Sequence, residues 1–352
     1  MNEINTFLKE LISAPGISGY ETPVRKIIEE KWESLTDEMQ VSKIGSLEGL
    51  KKGTGEGKRP SILLAGHMDA IGLMVTHVIE GFIGFTSIGG VDPRVILGQP
   101  VEVHGRELLN GIIVQPSDHL LPENIAGKPV PLEYLFIDVG LPPEKVDSMV
   151  RTGDAVSFAQ PPVELGEKVI AGHTMDDRAA VVAITHCLEI LQTRLHKWDV
   201  WAVATVQEEV GLKGALTSTF GLDPDIGVAI DVTHAKGPGT TESQIATLDK
   251  GLVLDWGPNV HPFIYNKFKE IADDLEIPYQ TGYHTDQSGT DTYAIQITAG
   301  GKPTMLLSIP LRYMHTPVEV VSVKDIQRTG RLLAEFISSL DDDFINSISW
   351  ED

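Results

Sequence analysis

SILLAGH, residues 61–67, is an apolar run that ends on a histidine, and it sets the pattern for the chain. Three later apolar runs also predict buried β-strands, and each is followed by residues able to bind a metal. They are WAVATVQ (201–207) before Glu208 and Glu209, DIGVAI (225–230) before Asp231, and TMLLSIPLRYM (304–314) before His315. Because ligands bind beyond the carboxyl ends of the strands in an open α/β sheet, we expect these polar residues to converge on one crevice.

The character of the sequence changes between residues 71 and 164. Short runs such as QPVEVHG (99–105) and NGIIVQP (110–116) are separated by Gly, Pro and Asp clusters, which is typical of an all-β module with many turns. Helix and strand patterns alternate on both sides of this segment. The sequence therefore predicts an α/β domain built from residues 1–70 and 165–352, with a small β domain of residues 71–164 inserted after the His67 strand.

Composition excludes several classes of protein. The 352 residues are 41% hydrophobic and 22% charged, so a sizeable core is available. The formal net charge of −22 argues against nucleic acid or an anionic membrane as a partner, because both bind basic patches. The single cysteine, Cys187, cannot form an internal disulfide. The first residues lack the layout of a signal peptide and no apolar stretch is long enough to span a bilayer, so we expect a soluble cytoplasmic protein.

His67 and Asp69 are two residues apart on an extended segment, so their side chains point to the same side. A histidine that binds a metal usually donates its other ring N–H to a carboxylate or a carbonyl, which makes Asp69 a candidate for that role. The simpler interpretation is a histidine at a strand end that is hydrogen-bonded to an aspartate.

Two further pairs of adjacent carboxylates fit a metal site. Asp176 and Asp177 stand where a long helical pattern begins, where negative charge is favourable, so ordinary capping also explains them. If they are functional, one could bridge two cations while the other supports the site. Glu208 and Glu209 have diverging side chains, so one could bind metal while the other acts on a water as general base. A solvated strand end is the alternative for this second pair.

The set of candidates is more specific than any member. Two histidines with several carboxylates fit zinc, cobalt or manganese better than calcium or magnesium. No glycine-rich phosphate loop follows the first strand and no GxSxG motif occurs, so neither nucleotide chemistry nor a serine mechanism of the α/β-hydrolase type is supported. Hydrolysis at a two-metal site is the chemistry that this pattern favours.

Six motifs, in this order, resemble the tetrahedral (TET-type) metallo-aminopeptidases, a family that includes glutamyl aminopeptidase and proteins labelled endoglucanase. They are HMDAIGL (67–73), MDDR (175–178), QEEVGLKGA (207–215), AIDVTHA (229–235), SGTDTYAI (288–295) and YMHTPVEVVS (313–322). The resemblance begins at PGISGYETPVRKII (15–28) and covers nearly the whole chain. It implies a phosphorylase/hydrolase-like, mixed-sheet α/β catalytic domain with an inserted PDZ-like β-barrel that serves dimerisation.

The resemblance also implies the roles of the site residues. The first metal would be bound by His67, Asp176 and Asp231, and the second by Asp176, Glu209 and His315, so that Asp176 bridges. Glu208 would be the general base and Asp69 the carboxylate behind His67. Two divalent ions, zinc or cobalt, would hold a bridging water that cleaves the N-terminal residue from short peptides with a free N-terminus. Dimers would build a tetrahedral dodecamer.

Three other functions remain as alternatives. A related metal-dependent deblocking (acyl-amino) or carboxypeptidase-type hydrolase would keep the metals and change the substrate. An endoglucanase would need two carboxylates flanking a sugar, but it would not need histidines and an aspartate at strand ends. A non-enzymatic scaffold would not need a candidate base, Glu208, beside its metal ligands.

Overall fold

A computed structural model describes residues 2–55, 57–125, 127–240 and 245–350 of the protein. Its helices are α1 (Asn2–Ser13), α2 (Thr22–Trp32), α3 (Pro93–Ile96), α4 (Pro143–Met149), α5 (Met175–Leu191), α6 (Lys213–Leu222), α7 (Pro262–Asp274), α8 (Asp291–Ile297), α9 (Val323–Ser339) and α10 (Phe344–Ser347). Short 3₁₀ turns lie at Asp118–Leu120 and Leu132–Tyr134.

The strands form one large sheet and one closed barrel. Those of the sheet are β1 (Glu38–Val41), β2 (Leu47–Lys51), β3 (Ser61–His67), β10 (Val163–Leu165), β11 (Val169–Gly172), β12 (Asp199–Thr205), β13 (Ile226–His234), β14 (Leu252–Trp256), β15 (Tyr279–Tyr283), β16 (Thr304–Arg312) and β17 (Glu319–Ser322). Those of the barrel are β4 (Gly72–Ile79), β5 (Phe82–Ile88), β6 (Pro100–His104), β7 (Leu108–Val114), β8 (Phe136–Asp138) and β9 (Ala155–Phe158).

The large sheet is mixed. Its main path runs β1-β2-β12-β3-β13-β16-β17-β11-β10, with β14 and β15 branching from β16. The four central strands, β12, β3, β13 and β16, are mutually parallel, whereas the outer pairs along this path are antiparallel. Parallel strands are buried on both faces by helices, which explains why their sequences are continuous apolar runs. The predicted α/β class with a mixed sheet is confirmed.

Helix α5 packs between this sheet and α9, and its sequence suits that place. It is rich in Ala and Val and is buried along most of its length. At Gly330 of α9 an added Cβ would lie 2.6 Å from the carbonyl oxygen of Ala183, so only glycine permits this close approach of the two helices. This packing holds the first turn of α5, which carries Asp176 and Asp177, against the edge of the sheet.

The barrel closes in the order β4-β5-β8-β7-β6-β9, with β9 pairing back onto β4. Alternate side chains of its strands form a separate apolar core, made of Leu73, Val75, Ile83, Phe85, Val101, Val103, Ile113, Ile137, Val156 and Phe158, to which the connecting segments add Ile96, Leu135, Val146 and Val150. The predicted all-β barrel inserted after the His67 strand is confirmed. The segment also contains two short helices, α3 and α4.

The central strands place the candidate residues. His67 is the last residue of β3 and lies opposite Thr205 in β12, and Asp231 in β13 lies opposite Ser308 in β16. Because these strands are parallel, their carboxyl ends meet at one edge of the sheet. Within the described part of the chain, no helix combines the length and the apolar character that crossing a membrane requires.

Candidate metal centre

The His67 side chain is buried and its tautomer follows from its contacts. Its Nδ1 lies 3.1 Å from the backbone carbonyl oxygen of Asp69. Since a carbonyl can only accept, Nδ1 donates, and Nε2 is the ring nitrogen that faces the site. Nε2 lies 3.0 Å from Oδ1 of Asp176. This is the arrangement of a histidine ready to bind a metal through Nε2.

The Asp176 carboxylate faces two different histidines. Its Oδ1 lies 3.0 Å from Nε2 of His67, and its Oδ2 lies 3.3 Å from Nε2 of His315. His315 Nε2 is also 3.3 Å from Oε2 of Glu209. Ligand atoms of His67, Asp176 and Glu209 all lie within 4.8 Å of one another. One oxygen directed to each side is what a carboxylate that bridges two cations requires.

Asp231 lies on the other side of His67. Ligand atoms of His67, Asp177 and Asp231 form a second group within 4.8 Å of one another. Asp177 Oδ2 accepts a 3.2 Å hydrogen bond from the backbone N–H of His67, and its Oδ1 has no hydrogen-bond partner among the described residues. The structure therefore brings both aspartates of the adjacent pair to the site, where the sequence analysis selects Asp176.

Asp69 is fully buried and its carboxylate accepts three hydrogen bonds. The donors are the Ser18 hydroxyl at 2.6 Å and the backbone N–H groups of Glu208 at 3.0 Å and Glu209 at 3.3 Å. The nearer contact of His67 Nδ1 is the Asp69 carbonyl, since the carboxylate Oδ1 is 3.5 Å away. The Asp69 side chain thus holds the turn that carries the two glutamates.

Burial and crowding perturb the carboxyl groups of the site. Burial raises the pKa of Glu208 to about 10 and the pKa of Glu209 to about 7, and neighbouring carboxylates add to both shifts. Burial likewise raises the pKa of Asp231 well above its ordinary value. Buried carboxylates that face one another are stabilised by bound cations, which become the largest local charges. The donor set, imidazole nitrogen with carboxylate oxygen, fits divalent transition metals.

The site residues form one wall of a cavity of about 490 Å³. The other residues that line it include His234, His284, Ser288, Thr290 and Tyr293. His284 is not among the candidates singled out from the sequence, although it lines this cavity. Its Nε2 lies 2.8 Å from Oδ1 of Asp255, and this hydrogen bond raises the pKa of His284. Nothing in the sequence near His284 resembles a strand end, so the residue was missed.

Two buried carboxylates near the site were also missed. Asp291 accepts a 2.6 Å hydrogen bond from the Thr205 hydroxyl, and burial raises its pKa to about 6. Glu319 accepts hydrogen bonds from the backbone N–H groups of Asp176 and His315. Both carboxylates lie in the SGTDTYAI and YMHTPVEVVS motifs, which is the only signal in the sequence that could have pointed to them.

Comparison with known proteins shows which proteins this chain is similar to. The M42 glutamyl aminopeptidase family matches residues 45–332. A lysyl aminopeptidase from Pyrococcus furiosus is 34% identical over 339 residues, 95% of this chain and 96% of that protein. A TET aminopeptidase structure from a marine sediment Thaumarchaeota archaeon is similar with a TM-score of 0.93 at 31% identity, covering 99% of each chain. The TET1 peptidase of Pyrococcus horikoshii, described as assembling into a tetrahedron or a large octahedral shell, has a TM-score of 0.83 at 30% identity, covering 96% of this chain and 100% of that one.

These similarities extend over nearly the full length of the chain and include the segment that forms the barrel. The family and the relatives just described are peptidases, so the endoglucanase alternative is not supported. The chain therefore belongs to the M42 glutamyl aminopeptidase family and is a metal-dependent aminopeptidase.

Proposed function

We propose that this protein removes the N-terminal residue from short peptides at a centre of two divalent cations. The observation that carries the proposal is the Asp176 carboxylate, whose two oxygens face His67 at 3.0 Å and His315 at 3.3 Å. An aspartate that merely capped a helix would have no reason to lie between two buried or half-buried imidazoles.

The ligand assignment is the one that the family resemblance implies, and the two histidines on either side of Asp176 support it. One cation would be held by His67, Asp176 and Asp231, and the other by Asp176, Glu209 and His315. Nitrogen and oxygen ligands in this mixture favour zinc or cobalt over calcium or magnesium. Asp177 is the rival of Asp176 on the Asp231 side, because it belongs to the group of ligand atoms within 4.8 Å that includes His67.

When bound, the cations supply a water of lowered pKa and polarise the scissile carbonyl. Side chains of the protein transfer the proton and position the groups that react. Glu208 takes a proton from the attacking water on its carboxylate and delivers it to the leaving amine. It lies at the cavity, with Oε2 3.8 Å from Nε2 of His67. Asp69 keeps Glu208 in place through the backbone N–H, and the His67 hydrogen bond to the Asp69 carbonyl holds the imidazole with Nε2 towards the site.

The same proposal covers the organisation of the protein. Residues 1–70 and 165–352 would form the catalytic domain, and the barrel segment 71–164 would mediate dimerisation. The shells described for the TET1 peptidase of Pyrococcus horikoshii support a tetrahedral dodecamer built from dimers. Light scattering should then give a particle of twelve chains, and a monomer would reject the assembly.

A cytoplasmic location agrees with the lone, buried Cys187, and cell fractionation would test it.

The activity is tested with a panel of free and N-acetylated aminoacyl anilides, before and after chelation and after cobalt or zinc is restored. We expect cleavage of the free-amine substrates alone, lost on chelation and regained with metal. Preference for the acetylated substrates would instead identify a deblocking enzyme. Absence of cleavage by metal-loaded protein would contradict a peptidase role.

A further inference from the structure

Glu319, the first residue of β17, is a buried carboxylate with an unusual pair of partners. Its Oε2 accepts a 3.1 Å hydrogen bond from the backbone N–H of Asp176, and its Oε1 accepts a 2.9 Å hydrogen bond from the backbone N–H of His315. Asp176 lies 143 residues away in the sequence. One side chain therefore joins two segments of backbone that carry proposed ligands of the same cation.

These two segments need an external constraint. Asp176 has φ −78° and ψ 101°, so it departs from the helix that follows it. His315 has φ +60°, in the left-handed region that residues other than glycine seldom adopt. The His315 side chain is 37% exposed, so packing alone does not hold it. A left-handed backbone such as that of His315 persists only where the surrounding structure supports it.

The Asp69 carboxylate makes the same type of contact on the other side of the site. It accepts from the backbone N–H groups of Glu208 and Glu209, as Glu319 accepts from those of Asp176 and His315. Burial lowers the pKa of the nearby Arg178 to about 9, while the charges of Asp69 and Glu319 act to raise it. Each carboxylate thus holds one pair of functional residues by the backbone.

We propose that Glu319 is a positioning residue for the cation held between Asp176 and His315, an inference that rests on the ligand assignment of the proposed function. By holding both backbones, Glu319 sets the separation of the Asp176 carboxylate from the His315 imidazole. Interactions behind metal ligands of this kind change metal affinity by about 10- to 100-fold. Its loss therefore weakens the cation shared by Asp176 and His315, both of which Glu319 holds, more than the His67–Asp231 cation, with which only Asp176 is shared.

Glu319→Gln is the sharpest probe because it keeps the shape of the side chain. The amide has one acceptor oxygen and one NH₂ donor, so it faces a backbone N–H with another donor and loses one of the two hydrogen bonds. Asp325 offers a matched control. It is also buried and also accepts from two backbone N–H groups, those of Asp249 at 2.7 Å and Gly251 at 2.9 Å, but it does not line the site cavity. Asp325→Asn therefore breaks an equivalent contact elsewhere.

The experiment is a cobalt(II) titration of metal-free, full-length protein followed by the visible absorption of the bound ion, with circular dichroism to check folding. We expect two equivalents in the wild type, one of them weakened about 10- to 100-fold in Glu319→Gln, and both unchanged in Asp325→Asn. Glu319→Asp keeps two acceptors on a shorter stem and should show a smaller loss at the same equivalent. If Glu319→Gln does not fold, the titration of Glu319→Asp decides whether Glu319 has the proposed positioning role.

Unaltered binding of both equivalents in the folded Glu319 variants would overturn the positioning role. An equal weakening of both equivalents, matched by Asp325→Asn, would overturn it too, because it would show a general loss of stability. A wild type that binds fewer than two cobalt ions would contradict the two-metal centre of the proposed function itself, and that failure is visible before any variant is made.

Discussion

The carboxyl edge of the large sheet buries titratable side chains, whereas the interior of the barrel is apolar. The titratable residues buried at or beside the edge include His67, Asp69, Asp176, Asp177, Glu208, Asp231, Asp291 and Glu319. Along the described strands of the barrel, the one buried polar side chain is Ser157, and the core is aliphatic and aromatic. Burying charge is unfavourable unless it is paired or bound to metal, whereas burying apolar surface stabilises by itself.

The two regions therefore depend on different interactions for their stability. The edge holds its carboxylates in an arrangement that bound cations would stabilise, so its stability should respond to metal and to pH. The barrel is stabilised by apolar burial, so it should be indifferent to both. Substitutions at the edge should therefore change the response of the protein to metal and pH, whereas substitutions in the barrel should not.

The greatest loss of turnover is predicted for a substitution of Glu208, at the carboxyl edge of the large sheet. Glu208→Gln removes the proposed base but keeps the size of the side chain, so turnover should fall about 10³-fold, equivalent to about 4 kcal/mol of barrier. Metal content, measured by elemental mass spectrometry, should stay at the wild-type value. Glu133→Gln, the same substitution on the surface of the barrel segment, should leave both quantities unchanged. A metal-replete Glu208→Gln enzyme with a near wild-type rate would remove Glu208 from the mechanism.

A second prediction concerns pH and metal removal. In the metal-free protein the pKa of Glu209 is raised to about 7 by burial, so the folded chain keeps a proton that the unfolded chain loses above its ordinary value of 4.5. Stability should therefore fall by about 3 kcal/mol as the pH rises through this interval. His315, whose pKa is raised to about 9 by its hydrogen bond to Asp176, acts in the same direction from pH 6.5 upward.

Urea unfolding of chelated protein at a series of pH values from 4.5 to 8 measures this effect. Cobalt or zinc should reverse the trend, because the cation displaces the protons from the carboxyl groups and binds more tightly as the pH rises. A chelated protein that gains stability over this interval would show that the edge does not bury its carboxyl groups in the protonated form.

The sequence alone was sufficient to place the polar residues at the strand ends. His67, Glu208, Glu209 and His315 lie at or beyond the last residue of a buried strand, whereas Asp231 lies within β13, three residues before its end. Parallel neighbours end at the same edge of the sheet. The barrel was equally visible, because its short runs and frequent turn residues have no counterpart elsewhere in the chain. Local pattern therefore specified both regions.

The contacts behind the site could not be predicted in this way. Glu319 meets Asp176 across 143 residues, and Ser18 meets Asp69 across 51. No local pattern contains such pairs, since they exist only after the sheet has brought the segments together. The same holds for His284, which reaches the cavity from a loop after β15. Residues that hold a site from behind are therefore a product of tertiary structure.

The smallest prediction uses one substitution in both regions. Ile137 in the barrel and Ile230 in the large sheet are both buried, and Ile→Val removes one methylene from each. Each change should cost about 1 kcal/mol of unfolding free energy in chelated protein. Ile230 precedes Asp231, so its loss should also weaken cobalt binding, whereas Ile137→Val should leave the cobalt titration unchanged. If Ile137→Val altered metal affinity as much as Ile230→Val did, the two regions would be energetically coupled, and the barrel would be part of the machinery of the site rather than a separate support.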